Sequence, residues 1–259
     1  MMQGIDCATP LTPELAAKFK ASGCEFVCRY LVPSGWKALT RAEAEAISGA
    51  DMQVISVFET SAGRPLGGYE AGLQDGATAL QVAAEVGQPL GSCIYFAVDF
   101  DATPEQMWTI IDYLRGCREA APGYSIGVYG SYNVMMALGN AGAADKYWQT
   151  YAWSGNRRAD FINLFQYKND VPANGIQVDH NMAYGDEGGW SLAKPEPPAK
   201  KTEFSDVEAG RWSEDVIWVV NYHGIMTGFE DGTFRPEQPV TREELAAALN
   251  ALYAKFLNG

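Results

Sequence analysis

The chain has 259 residues, 47% of them hydrophobic and 20% charged, which is ordinary globular composition with room for one large domain and a small module. Its 32 acidic residues against 19 basic ones leave a formal charge of -13, which removes the electrostatic footprint needed to hold nucleic acid or an anionic membrane. The only two histidines, His180 and His223, lie in separate halves of the chain and exclude a histidine-based zinc site.

Eight apolar runs read as strands, at 3–7, 25–31, 52–59, 92–100, 124–130, 146–152, 162–167 and 175–181. Helices are predicted between the first six. Their starts are marked by Thr12-Pro13, by Thr40 with Glu43, and by Thr103-Pro104 with Gln106. The gaps after strands six and seven are too short for a helix and its turns. Five strand–helix units followed by three strands close into a TIM-like α/β barrel of eight strands and about five helices. The alternative, an open doubly wound sheet, lacks a G-x-G-x-x-G after its first strand.

Residues 191–203, "SLAKPEPPAKKTE", have the composition of an extended linker. Beyond it, 204–259 predicts a small all-α module. A first helix over about 212–223 carries Trp212, Val216, Val219 and Val220 on one stripe; a Gly- and Pro-rich loop follows, then a second helix opened by a Thr241–Glu244 capping box. The organisation expected is a barrel over 1–190, a linker over 191–203 and a module over 204–259. The amino terminus, "MMQGIDCATP", has neither a basic start nor an apolar core, so synthesis in the cytoplasm without a cleaved signal is expected. No stretch approaches the roughly 18 apolar residues of a membrane span. The five cysteines, without a C-x-x-C pair, read as buried free thiols.

In a barrel of this type the carboxyl ends of the strands line the functional mouth. Polar residues fall there repeatedly: Asp6, Arg29, Glu59, Asp99, Asp101, Tyr129, Gln149, Gln166 and Asp179. Carboxylates at the end of a core strand are costly unless paired or used. Alternation along strand four places Tyr95, Ala97, Asp99 and Asp101 on one face, pointing inward. Carboxylates crowded at a cavity raise one another's pKa, and glycoside cleavage needs one protonated and one ionised carboxyl group. Asp6, Glu59, Asp99 and Asp101 are the catalytic candidates, and Arg29, Tyr129, Gln149, Gln166 and Asp179 the substrate-binding ones. Aromatic residues near the same ends (Tyr95, Tyr129, Trp148, Tyr151, Trp153, Tyr167) offer faces for sugar rings. No D-x-D-x-D-G loop is present, so neither a metal nor another cofactor is expected.

The segments "GIDCATPLT", "FVCRYL", "LTRAEAEAI", "YFAVDFDAT", "IGVYGS", "KYWQTYA" and "FQY" resemble the glycoside-hydrolase-like domain of unknown function 1906, over roughly residues 3–190. That family is similar to the glycoside hydrolase family 25 lysozymes, which cleave peptidoglycan glycan strands at muramic acid. The resemblance implies a peptidoglycan hydrolase of muramidase type. It puts Asp101 in the position of the general acid, with Asp6 and Asp99 stabilising charge and Asp179 in the last-strand "V-D-x-N" context. Asp101 stands where the lysozymes have glutamate, which makes Glu59 the alternative acid and keeps open a non-catalytic glycan-binding role. Residues 204–256 resemble one S-layer homology repeat, through "FSDV", "GIMTGFEDGTFRP" and "TREE". That resemblance implies binding to a secondary cell-wall polymer through Trp212, Arg242 and the Gly232 turn. A lone repeat of about 55 residues has limited core of its own, so it is expected either to pack on the barrel or to associate with copies from other chains. The pairing of the two parts is similar to that of a phage or prophage endolysin, acting at the bacterial cell wall.

Overall fold

A computed structural model describes residues 1–192, 204–208 and 210–258. The linker expected at 191–203 lies, from residue 193 on, outside the described residues. The chain divides into two compact units, Met1–Lys194 and Pro195–Gly259.

The first unit is an eight-stranded closed barrel, α/β and TIM-like as the spacing predicts. In chain order it runs β1 (Met2–Asp6), α1 (Pro13–Ala21), β2 (Phe26–Tyr30), α2 (Arg41–Gly49), β3 (Gln53–Phe58), α3 (Gly68–Val86), β4 (Cys93–Ala97), α4 (Met107–Ala120), β5 (Ser125–Gly130), α5 (Tyr132–Ala141), β6 (Lys146–Thr150), β7 (Leu164–Ala173) and β8 (Ile176–Ala183). Strands β1 to β7 pair in parallel around the ring, and β8 closes it antiparallel to both β7 and β1. The antiparallel closure follows from Asn174-Gly175, whose left-handed φ values of 50° and 90° suit a two-residue hairpin turn. This hairpin lengthens β7 and β8 beyond the expected runs, whereas the expected strand 92–100 stops at Ala97.

Helix starts are built as the sequence marks them. Thr12 and Thr40 accept from the backbone N–H of Leu15 and Glu43 (both 3.2 Å), and Thr103 forms a reciprocal box with Gln106. Glu43 departs from its expected role: instead of reaching back to Thr40, its carboxylate takes the Leu11 N–H and a buried arginine. All five cysteines are free and buried.

Two apolar layers result. Phe26, Cys28, Ile55, Tyr95, Trp148 and Leu164 fill the barrel, and the alternate residues pack against the helical jacket. Inside, Tyr129 and Tyr95 meet Trp148 edge-on at 4.9 and 5.8 Å between ring centroids, making a firm floor under the mouth. In the jacket, α3 and α4 approach closely at Gly72 and Gly116. Buried Asp75 sits between them, accepting from Tyr113 Oη (2.9 Å) and from Arg64 Nε (2.9 Å).

In the second unit α6 (Glu214–Tyr222) and α7 (Arg242–Asn258) flank the loop. Asp206 accepts from the N–H groups of Phe234 (2.8 Å) and Arg235 (2.7 Å), and Thr241 and Glu244 make the expected capping box. The predicted stripe on the first helix is corrected: Ile217 and Trp218 are buried, and Trp212, Val216 and Val219 are exposed. With apolar residues from Val216 to Val220 without a break, periodicity alone does not choose the buried side. Among the described residues no helix is long and apolar enough to cross a membrane.

A Cβ at Gly72 would lie 1.9 Å from the Tyr113 carbonyl oxygen. Gly72→Ala therefore forces α3 and α4 apart, and the barrel should lose about 2 kcal/mol or more of stability. Urea unfolding followed by circular dichroism checks this; a midpoint equal to that of the unsubstituted protein would contradict the close packing.

Candidate active site at the barrel mouth

At the carboxyl ends of the parallel strands a cavity of about 280 Å³ opens, lined by Asp6, Glu59, Asp99 and Asp179 together with Tyr30, Tyr129, Trp148, Trp153, Gln166 and Asn169. Because β8 is antiparallel, Asp179 reaches the cavity from the amino-terminal side of its strand and not, as expected, from the carboxyl end. Four strands each deliver one half-buried carboxyl group to this space. Asp6 and Asp179 are direct cross-strand partners on β1 and β8.

Two buried amides organise this pair. Trp148 Nε1, which can only donate, gives its hydrogen to Asn181 Oδ1 (2.8 Å), so Asn181 Nδ2 is turned to Asp6 Oδ2 (2.6 Å). Tyr129 Oη (2.9 Å) and Thr150 Oγ1 (2.7 Å) both donate to Gln166 Oε1. Gln166 Nε2 is then left to serve Asp6 Oδ2 (2.9 Å) and Asp179 Oδ2 (3.1 Å). Both donors meet Asp6 at Oδ2, and neither uses Oδ1. Asp179 Oδ1 accepts from the Asp170 N–H (2.8 Å), which ties it to the β7–β8 hairpin.

Burial, reinforced by the charge of Asp179, pushes Asp6 up from 3.8 to about 7, against the pull of Gln166 and Asn181. Burial also raises Glu59, Asp99 and Asp179. For Glu59 and Asp99 the ammonium of Lys37 opposes the rise; its Nζ lies 3.6 Å from Glu59 Oε2.

Three candidates are not at the cavity. Asp101 is exposed and lies outside it, because β4 ends at Ala97 and strand alternation no longer governs the chain four residues on. Arg29 and Gln149 miss by one residue of parity: Cys28 and Tyr30, and Trp148, face inward, so Arg29 and Gln149 face the jacket. Arg29 is fully buried in a pair with Glu43 (Nε to Oε1, 2.6 Å) and also donates to the Cys7 and Lys37 carbonyls. Gln149 holds the following loop, donating to the Arg157 carbonyl (2.8 Å) and accepting from the Ala159 N–H (2.9 Å). Tyr95 lies deep in the barrel, its hydroxyl on the Glu187 carbonyl (2.9 Å).

The strand-end reading missed Tyr30, Asn169, Asn181 and Lys37. Parity from Phe26 identifies Tyr30, and the Asn174-Gly175 turn, which pairs β8 with β7, brings in Asn181. Trp153, considered as a sugar platform, lines the cavity with a left-handed φ of 53°, a backbone state uncommon for a bulky residue. Among the described residues no group of three or more His, Cys, Asp or Glu side chains is arranged to hold a metal ion.

In the second unit, Gly232 makes its turn at φ 79°, Trp212 is exposed ahead of α6, and Arg242 is the first residue of α7. None of the three lines a groove of about 580 Å³ in that unit, bounded by Met226, Phe229, Phe234, Val240 and Ala248 together with Arg235 and Glu244.

Residues 17–187, more than half of the chain, match the Rv2525c-like, glycoside hydrolase-like domain. The chain belongs to that family. Residues 203–246 match the S-layer homology domain. Bacillus subtilis YbfG, an uncharacterized protein, is 35% identical over 161 residues, 53% of this chain and 21% of YbfG. Rv2525c of Mycobacterium tuberculosis, named as a candidate peptidoglycan hydrolase, is 28% identical over 156 residues, 56% of this chain and 64% of its own length. The chain thus spans about a fifth of YbfG and less than two thirds of Rv2525c. The crystal structure of the Tat-secreted protein Rv2525c superposes with a TM-score of 0.68 at 24% identity, covering 73% of this chain and 99% of that one. The modular autolysin LytC of Streptococcus pneumoniae shares the fold, with a TM-score of 0.52 at 12% identity, over 70% of this chain and 46% of LytC. A glycoside-hydrolase-like barrel and an S-layer homology domain therefore occur in one chain.

The raised Asp6 has a consequence for stability. Its folded-state value of about 7 exceeds the unfolded value of about 3.9, so the native state keeps a proton that the unfolded state has lost. Stability from this group is present below about pH 4 and is lost as pH rises toward 7. In Asp6→Asn the carboxamide oxygen can accept from both Gln166 and Asn181 and nothing ionises. The variant should gain a few kcal/mol over the unsubstituted protein at about pH 8 and almost nothing at about pH 4. Chemical denaturation at the two pH values measures it, and equal gains at both would refute the buried proton.

Proposed function

We propose that the barrel is a glycosidase that cleaves peptidoglycan glycan strands, and that the second unit tethers it to a secondary polymer of the cell wall. The observation that carries this reading is the convergence of Asp6, Glu59, Asp99 and Asp179 on one aromatic-lined cavity, with the Lys37 ammonium acting on Glu59 and Asp99. Asp6 keeps a proton into the neutral range and serves as the acid, its Oδ1 left for the glycosidic oxygen. Glu59 and Asp99 are the ionised groups that face the cationic anomeric centre. The proton passes from Asp6 to the glycosidic oxygen as the anomeric C–O bond breaks with its electron pair. Water then bonds through oxygen to the anomeric carbon, and its proton returns to Asp6. Trp153 and Tyr30 offer ring faces, and Asn169 Oδ1, buried and without a hydrogen-bond partner among the described residues, is an acceptor for a sugar hydroxyl. Asp101, the acid implied by the lysozyme pattern, has no part in this chemistry.

One observation favours a second reading. With Asp101 outside the cavity, the fourth strand supplies a single carboxylate where the lysozyme pattern has two, which supports glycan binding without cleavage. Digestion of purified Gram-positive walls, with mass spectrometry of soluble products, separates the two. New reducing ends at muramic acid support the glycosidase, and adsorption without fragments supports the binding module. Asp6→Asn and Glu59→Gln should each lose about 10²-fold or more of the release rate, while Asp101→Asn keeps it within about twofold. A dead Asp101→Asn would return the acid role to that residue.

In the second unit, Trp212 and Arg242 are proposed to take up the wall polymer at the Gly232 side of the loop, with the guanidinium facing an acidic sugar substituent. The exposed apolar side chains Leu245, Leu249, Leu252 and Tyr253 of α7 are proposed to meet further copies of the chain. Light scattering at micromolar concentration tests this association, and a monodisperse monomer would exclude it.

A further inference from the structure

Lys37 lies on the loop between β2 and α2, and its side chain has two partners at the mouth. Its Nζ sits 3.9 Å from the centroid of the Tyr30 ring, one of the walls of the cavity, and 3.6 Å from Glu59 Oε2. Its backbone is fixed as well. The Lys37 carbonyl accepts from Arg29 Nη2 (3.1 Å), the next residue, Ala38, bridges to Tyr30, and the Leu39 N–H reaches the Tyr30 carbonyl (2.8 Å). Arg29 is itself held by Glu43, so a fully buried ion pair sets where the lysine stands. An exposed surface pair has no such scaffold and is worth little.

The charges around the mouth make this position consequential. Facing Lys37 are Glu59 after β3, Asp99 after β4 and the Tyr30 ring on β2; the buried guanidinium of Arg29 behind it is already neutralised by Glu43. On the other seam, Asp6 faces Asp179 and Asp99 with neutral amides as its donors, and the His180 ring beside Asp179 is stacked on Tyr167. One side of the mouth therefore has a permanent positive charge and the other does not.

We propose that Lys37 is the positioning residue that divides the roles of the mouth carboxyl groups, holding Glu59 in place as the ionised member, while the donors on Asp6 are the neutral amides of Gln166 and Asn181. This rests on the glycosidase reading for its purpose, since a cavity with both carboxyl groups ionised, or both protonated, cannot supply an acid and a charge stabiliser together. The electrostatic division itself is a property of the free protein.

The test is a carbon-13 NMR titration of the side-chain carboxyl groups of the full chain, with signals assigned through Glu59→Gln, Asp99→Asn and Asp6→Asn, in the unsubstituted protein, Lys37→Met and Lys37→Arg. Lys37→Met keeps the apolar stem on Tyr30 and removes the charge. The Glu59 midpoint should move up by about one pH unit or more, Asp99 should move the same way by less, and Asp6 should stay. Lys37→Arg should restore the Glu59 midpoint. An unchanged Glu59 midpoint in Lys37→Met overturns the proposal, as does an equal shift of Asp6, and so does failure of Lys37→Arg to restore it. Where walls are digested, the acidic limb of the pH profile should move to higher pH in Lys37→Met and return in Lys37→Arg. The titration needs no substrate, so a protein that cuts nothing but shows the shift refutes the glycosidase reading alone.

Discussion

Asp6 and Asp179 face one another across the seam where the antiparallel last strand closes the barrel on the first. Directly opposed like charges in a sheet are destabilising, and here the medium around them is poor in water. The rest of the mouth is built around this conflict. Asn181 and Gln166 spend their amide donors on Asp6, Trp148, Tyr129 and Thr150 fix those amides in orientation, and the hairpin amide of Asp170 holds Asp179. Even so, burial outweighs the donors and Asp6 keeps its proton. A fold that tolerates such a seam gives up stability at the point where its candidate site lies.

The barrel supports this concentration of polar groups by being apolar and close-packed below and around it. The Tyr95–Trp148–Tyr129 stack fills the interior beneath the cavity. The Arg29–Glu43 pair, although ionic, lies on the jacket side and is satisfied by its neighbours. Its function is geometric: one guanidinium touches the carbonyl after Asp6 and the carbonyl of Lys37, and so links the protonated and the charged sides of the mouth through β2. The second unit is held by a different device, aspartates that accept from loop N–H groups, suited to a small fold with limited core.

Much of the fold was legible as pattern. Eight apolar runs, caps at Thr12, Thr40 and Thr103, and the loss of helix-length gaps after the sixth strand lead to the closed barrel without knowledge of any contact. The site was legible only in part. Asp6, Glu59, Asp99, Asp179, Tyr129 and Gln166 line the cavity, and each lies at or just beyond the end of a strand or on its inward side. Arg29 and Gln149 fail by one step of a period of two, an error that hydrophobicity does not correct because both faces of a barrel strand are buried. Asp101 fails because the length of the fourth strand is set by what it pairs with, and its pairing ends with Ala97 opposite Tyr129.

The sequence by itself determined which segments become strands and helices, where the chain changes character, and that carboxyl groups gather at one end of the strands, because local periodicity and capping chemistry act over a few neighbouring residues. Only the tertiary structure decided which carboxyl groups share a cavity, which of them keeps a proton, and that Lys37 stands beside Glu59 and Asp99 while Asp6 is left to neutral amides. Those outcomes depend on distances between residues far apart in the chain, on the burial that closure imposes, and on the antiparallel seam between the first and last strands, none of which is a property of any one segment.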